Sequence, residues 1–74
     1  MQSANPEILK ELVRNEMPFG KYKGRKLCDL PVHYLEWFAS KGFPNGKLGM
    51  QMATLYEIKI NGLDEILYQL KKMQ

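Results

Sequence analysis

The sequence predicts a single small α+β domain, a short two-stranded β-hairpin packed among three to four α-helices. Three observations lead there. Apolar residues recur at helical spacing in the first sixteen positions and again beyond position 30. Between them, Gly20 and Gly24 bracket Lys21, Tyr22 and Lys23, and the short flanks Met17–Phe19 and Arg25–Leu27 read as extended segments around a turn. A length of 74 residues leaves room for one core and no second. Within the one domain, 1–74, the expected parts are an N-terminal helix over 1–16, a basic hairpin over 17–28 and a helical part over 29–74.

Asn5 suits the cap of the first helix, with Pro6 at the first helical position and Glu7 beside the positive helix start. Ile8, Leu9, Leu12 and Val13 then make one apolar stripe, with Lys10, Glu11 and Arg14 on the other side. Pro18 biases Met17 to extended backbone, so the helix stops near Glu16. In the hairpin, Gly24 supplies the positive φ that loops of this length require. Two strands alone are marginal in water, so one face must pack on helices, with Phe19 and Leu27 pointing inward.

Pro31 opens the next helix and Gly42 closes it, with Tyr34, Leu35 and Phe38 on its apolar side and Trp37 widening that side. Asp29 supports the start of this helix through its charge and a side-chain hydrogen bond. Gly42 to Gly46 is a loop of turn formers. From Lys47 the pattern is double: Tyr56 to Ile60 alternates like a strand, but Leu48, Met52, Leu55 and Ile58 keep helical spacing. Helix is favoured because that spacing begins earlier and Asn61 and Gly62 make a C-terminal stop. Asp64 or Glu65 starts a last helix with Ile66, Leu67 and Leu70 as its stripe. Lys71 and Lys72 complement its negative end.

Composition narrows the class. Hydrophobic residues make up 45% and charged residues 26%, the balance of a globular protein rather than a disordered one. Cys28 is the single cysteine, so no disulfide framework exists, and a reducing compartment is expected. The first ten residues lack the basic segment and apolar run of a signal peptide, and no window approaches a membrane span. The expected location is therefore the cytoplasm, with no membrane partner. The formal net charge is only +3, but four of the eleven basic residues fall between positions 21 and 26.

Three segments carry a resemblance: Met17 to Gly24, Leu27 to Pro31, and Tyr34 to Trp37. Together they are similar to the small C-terminal module that follows the catalytic domain in exonuclease-X-like DNA exonucleases. The continuation from Leu55 to Leu63 resembles still more a family of short bacterial proteins labelled as quorum-sensing-regulated virulence factors, for which no biochemical activity is established. The resemblance covers roughly residues 17–70. It implies a compact α+β module and, by analogy alone, work connected with DNA. The acidic metal ligands of the exonucleases belong to their other domain, so the resemblance implies no exonuclease activity here.

The candidate site is Gly20, Lys21, Tyr22, Lys23, Gly24, Arg25 and Lys26. Four cations around one aromatic suit a phosphate backbone and a stacked base, and the glycines allow close backbone approach. The competing reading is a solvated tip whose charges prevent edge-to-edge association. Three residues rather than four separate the glycines and no Ser or Thr follows a Lys in this loop, so a Walker nucleotide loop is excluded. Tyr34 and Trp37, three apart on a helix, read as core rather than as a stacking surface. His33 lacks a second ligand at metal-binding spacing, nothing orients Cys28 and His33 as nucleophile and base, and no carboxylate pair stands out. No metal or cofactor is expected. Cys28 reads as a small semi-buried hydrophobe. The function expected is a non-enzymatic nucleic-acid-binding accessory module, its partner DNA or RNA. The alternative is a protein-interaction or oligomerisation adaptor, partnered by another protein or a second copy, using Met50, Phe43 and the C-terminal helix.

Overall fold

The computed structural model describes residues 6–73 and is all-helical. Helix α1 spans Pro6–Arg14, a single 3-10 turn spans Leu27–Asp29, and α2 (Val32–Lys41), α3 (Lys47–Ile60) and α4 (Asp64–Lys72) follow. Asn5, the expected cap of α1, lies outside the described residues. Helix α1 packs against α3, α4 and the 3-10 turn, while α2 packs along α3. The molecule measures about 30 × 30 × 22 Å.

The apolar stripe of α1 sits as its spacing requires. Leu12 and Val13 are buried, and Ile8 and Leu9 pack against them half-buried. Leu27, Leu30, Leu35, Met52 and Leu55 complete the dry centre, with almost no exposed surface on any of them. Burial of each such side chain contributes roughly 1.5–3 kcal/mol relative to exposure, so this centre supplies most of the driving force a domain of this size can muster.

Helix α3 runs unbroken through Tyr56–Ile60, the segment that also alternates like a strand. It ends in a Schellman motif. Gly62 takes φ +68° and its N–H donates to the Lys59 carbonyl at 3.2 Å, while Leu63 N–H donates to the Ile58 carbonyl at 2.9 Å. Helix α2 stops at Gly42, φ +113°, whose N–H donates to the Phe38 carbonyl. The start of α3 needs another glycine. Gly49 is buried, and a Cβ there would land on the carbonyl oxygen of Pro44, with the carbonyl carbon 2.9 Å away.

The expected β-hairpin and the α+β class are overturned. Among the described residues there is no strand, and residues 16–26 fold back through one antiparallel bridge between Glu16 and Lys26. Met17 N–H donates to the Arg25 carbonyl and Gly24 N–H to the Met17 carbonyl, each at 2.8 Å, Leu27 N–H donates to the Asn15 carbonyl at 2.9 Å, and there the ladder ends. On one side the Arg25 N–H that would return to Met17 is taken within the turn by the Tyr22 carbonyl at 3.0 Å. On the other, Leu27 already turns into the 3-10 segment. A loop too short to alternate also changes which residue faces inward: Met17 and Leu27 are buried, whereas Phe19 is 45% exposed.

Asp29 does not cap α2, which carries no side-chain cap. Its carboxylate instead accepts a hydrogen bond from Lys71 Nζ at 2.8 Å, tying the 3-10 turn to α4. That contact raises the Lys71 pKa, through the hydrogen bond first and the charge of Asp29 second. The expected stripe of α4 is also narrower than its pattern: Leu67 is buried and Leu70 half-buried, but Ile66 is exposed.

Candidate nucleic-acid interface

Two glycines in left-handed backbone, Gly20 at φ +82° and Gly24 at φ +89°, fold residues 20–25 into a tight excursion from the surface. Lys23 N–H donates to the Gly20 carbonyl at 3.1 Å and Arg25 N–H to the Tyr22 carbonyl at 3.0 Å. The turn is held against α2 by rings. Tyr22 is half-buried and meets Tyr34 edge-on, with ring centres 4.7 Å apart. Gly20 is needed at this seam, because a Cβ there would stand 3.0 Å from the Tyr34 hydroxyl. Burial of Tyr34 beside Tyr22 pushes its phenol pKa up, desolvation being the larger cause.

Tyr22 organises the cations around it. Lys21 Nζ lies 5.6 Å and the Arg25 guanidinium carbon 5.2 Å from its ring centre. Both distances allow cation–π attraction, which restrains the two side chains without consuming their charge. The ring is therefore a platform for cations, not the open stacking face the sequence suggested. Lys21, Lys23 and Arg25 are exposed, and among the described residues none of them is ion-paired to a carboxylate. Lys26 differs from its neighbours. It is half-buried, and its Nζ donates to the Arg14 carbonyl at 2.9 Å, capping the C-terminal end of α1. The structure thus brings six of the seven candidate residues into one exposed turn and assigns the seventh, Lys26, to the fold.

Tyr22 begins a row of aromatic rings. Tyr34 meets Phe38 edge-on at 5.2 Å, Phe38 stacks with Phe43 at 6.4 Å, and Phe43 reaches Tyr56 of α3 at 6.2 Å. Trp37 branches from this row, edge-on to Phe38 at 5.1 Å, yet it is 56% exposed. The core position expected for Trp37 is overturned. At about 100° per residue, Trp37 falls some 60° beyond Tyr34, on the side away from Leu35, and so leaves the apolar arc. Phe43, half-buried within the row, is a packing residue, while Met50 is exposed.

Cys28 is buried, its thiol 3.9 Å from an Asp29 carboxylate oxygen. Burial, and then the charge of Asp29, push its pKa up, away from the thiolate a nucleophile requires. Outside the turn, Glu11 gathers a small polar cluster that the sequence did not reveal. Gln51, buried, donates to it at 2.8 Å and Lys47 pairs with it at 2.9 Å. Those contacts, Lys47 first, hold the Glu11 carboxyl below its ordinary value.

Residues 5–70 match the family model described as "Putative quorum-sensing-regulated virulence factor". The chain belongs to this family. It is also 52% identical over 67 residues to the "Uncharacterized protein YpeB" of Escherichia coli K12, covering 89% of this chain and 93% of that one. The protein of the same description in Escherichia coli O157:H7 matches equally. No solved structure matches. The similarity to the exonuclease module is not shown by these comparisons and carries none of the functional argument. Family membership fixes neither partner nor chemistry, which leaves the geometry of the turn as the guide. Among the described residues, no helix is long and apolar enough to cross a membrane.

Proposed function

We propose that this protein is a non-enzymatic nucleic-acid-binding accessory module of the cytoplasm, which holds a phosphate backbone with the turn from Gly20 to Arg25. The observation that carries the reading is the Tyr22 platform, with Lys21 and Arg25 set on its ring and Lys23 between them on the same turn. Cations held by an aromatic ring lose less freedom on binding than cations on free stems, yet remain fully charged toward a ligand. Backbone at Gly24, with nothing within 4 Å of where a Cβ would stand, adds a position where a phosphate can approach closely. Such contacts read charge and spacing before base identity, so DNA and RNA are both partners of the expected kind.

The test is anisotropy of labelled oligonucleotides across salt concentrations, with wild type and the Lys21→Ala/Lys23→Ala/Arg25→Ala variant. Three phosphate contacts give a log–log salt slope of about −2 for a single strand, so a fourfold rise in salt weakens binding roughly 20-fold. The variant should fold as wild type and lose the binding. Binding that persists in the variant would remove the turn from the reading.

A second reading, an adaptor docking another protein, is favoured by the apolar surface of the C-terminal region. Ile60, Leu63, Ile66 and Tyr68 are each between 44% and 58% exposed. Binding through that surface would change little with salt. It would survive loss of the three cations.

A further inference from the structure

The exposed indole of Trp37 is the feature that core packing leaves unexplained. A tryptophan at 56% exposure presents a large apolar face to water, and α2 gives it no cover. Its surroundings are those of a binding platform. Phe38 supports the indole edge-on from beneath, as a T-shaped contact at 5.1 Å, which steadies the ring while leaving surface free. His33 and Lys41 stand one helical turn to either side of it on the same face of α2, both exposed. Glu36, the one acid of α2, is a step of about 100° round the helix from Trp37.

The indole is also tied to the basic turn by rings alone. From Tyr22 the path passes Tyr34 at 4.7 Å and Phe38 at 5.2 Å before reaching Trp37. Three ring contacts bound the distance between the cations on Tyr22 and the face of Trp37. That span is shorter than the track of about four nucleotides that even a small single-strand-binding fold covers. Phe19, exposed on the approach to the turn, adds a further apolar surface beside the cations.

We infer that Trp37 is a base-stacking subsite, and that the ligand of this surface is a single-stranded nucleic acid rather than a duplex. This rests on the reading of the turn as a phosphate grip. Lys21, Lys23 and Arg25 take the phosphates, and an unpaired base lies on the indole. A duplex cannot satisfy both, because its bases are stacked on one another and turn their edges, not their faces, outward. Stacking of one base on an aromatic platform strengthens binding roughly 5- to 150-fold and is tolerant of base identity. The lone tryptophan makes this directly observable, since all indole fluorescence comes from Trp37.

The experiment titrates the full chain with oligothymidylate, with an abasic strand of equal length, and with the matching duplex, following both Trp37 fluorescence and oligonucleotide anisotropy. Quenching by oligothymidylate but not by the abasic strand, with the Trp37→Ala variant binding roughly 5- to 150-fold more weakly at an unchanged salt slope, is the expected result. Trp37→Phe should recover part of the loss. If oligothymidylate binds through Lys21, Lys23 and Arg25 but leaves the indole unquenched and Trp37→Ala unaffected, the stacking subsite is wrong while the phosphate grip stands. Equal affinity for the duplex would overturn the single-strand assignment. Absence of binding by every strand at low salt would overturn grip and subsite together.

Discussion

Replacement of Gly49 by alanine sets a local preference against packing. In an exposed helix interior, Gly→Ala stabilises by roughly 0.5–1 kcal/mol. Here the new methyl would coincide with the carbonyl oxygen of Pro44 and stand 2.9 Å from its carbonyl carbon. A carbon and a carbonyl oxygen rest at about 3.3 Å or more, and both clashing atoms are backbone, so no rotamer change relieves them. The 42–46 loop must retreat. That loop carries Phe43, whose ring stacks with Phe38 and touches Tyr56. Overpacking of this kind costs roughly 1–3 kcal/mol, and each weakened ring pair adds about 0.5–1.5 kcal/mol. After the helix gain is subtracted, the expected net loss is about 1–5 kcal/mol, a fall in Tm of roughly 5 °C or more for a domain of this size. Thermal and urea unfolding followed by circular dichroism measures it. In a Phe43→Leu background the penalty should shrink, since the displaced ring is already gone. A Gly49→Ala protein as stable as wild type would show that the loop yields freely, and the account of the α2–α3 corner would be wrong.

Lys26→Ala removes the side-chain cap of α1 and should lower stability by about 0.5–1.5 kcal/mol without altering the salt slope of oligonucleotide binding. Lys23→Ala should do the reverse, lowering the slope by about 0.7 per lost contact at constant Tm. Glu11 is held below its ordinary pKa by Lys47 and Gln51, so its contribution is full above the ordinary carboxylate value and disappears as pH falls through the lower folded-state value. Unfolding of Glu11→Gln and wild type should therefore differ at neutral pH and converge in acid, and a constant gap down to acid would contradict the cluster. Cys28, buried and raised in pKa, should alkylate with iodoacetamide far more slowly in the native protein than in urea. Equal rates would show that the thiol is accessible.

Much of the fold was legible where local signals agreed. The spacing from Leu48 to Ile58 and the stop at Asn61 and Gly62 both belong to one helix, and they outweighed the five-residue alternation at Tyr56–Ile60. The stripe of α1 and the closure of α2 at Gly42 were similarly over-determined. The hairpin failed because its evidence was turn chemistry alone. Gly20 and Gly24 do make a turn, but with the Arg25 N–H taken by Tyr22 inside it and Leu27 drawn into a 3-10 turn, the ladder stops at a single bridge. Trp37 failed because it sits at the margin of the apolar arc, where a spacing rule cannot separate core from surface. Asp29 reaches forward 42 positions to Lys71, and Glu11 reaches 40 to Gln51. Partners that distant in the chain leave no local trace. The basic turn itself was visible by composition, but the division of labour within it, with Lys26 bracing α1 and Tyr22 carrying cations, depends on neighbours the chain brings together only in folding.

The pairing of α1 with α4 has a consequence for how the chain reaches this state. The first and last helices touch, so roughly fifty residues of intervening chain must be looped before that contact forms, an entropic cost on the order of 3–4 kcal/mol plus a constant. Most other contacts, α2 with α3 above all, join near neighbours and can form early. A nascent chain would carry a ready α2–α3 pair while α1 still lacked the surface that α4 supplies. Closure of the contact between α1 and α4 is then the late event, and it waits until α4 has been synthesised.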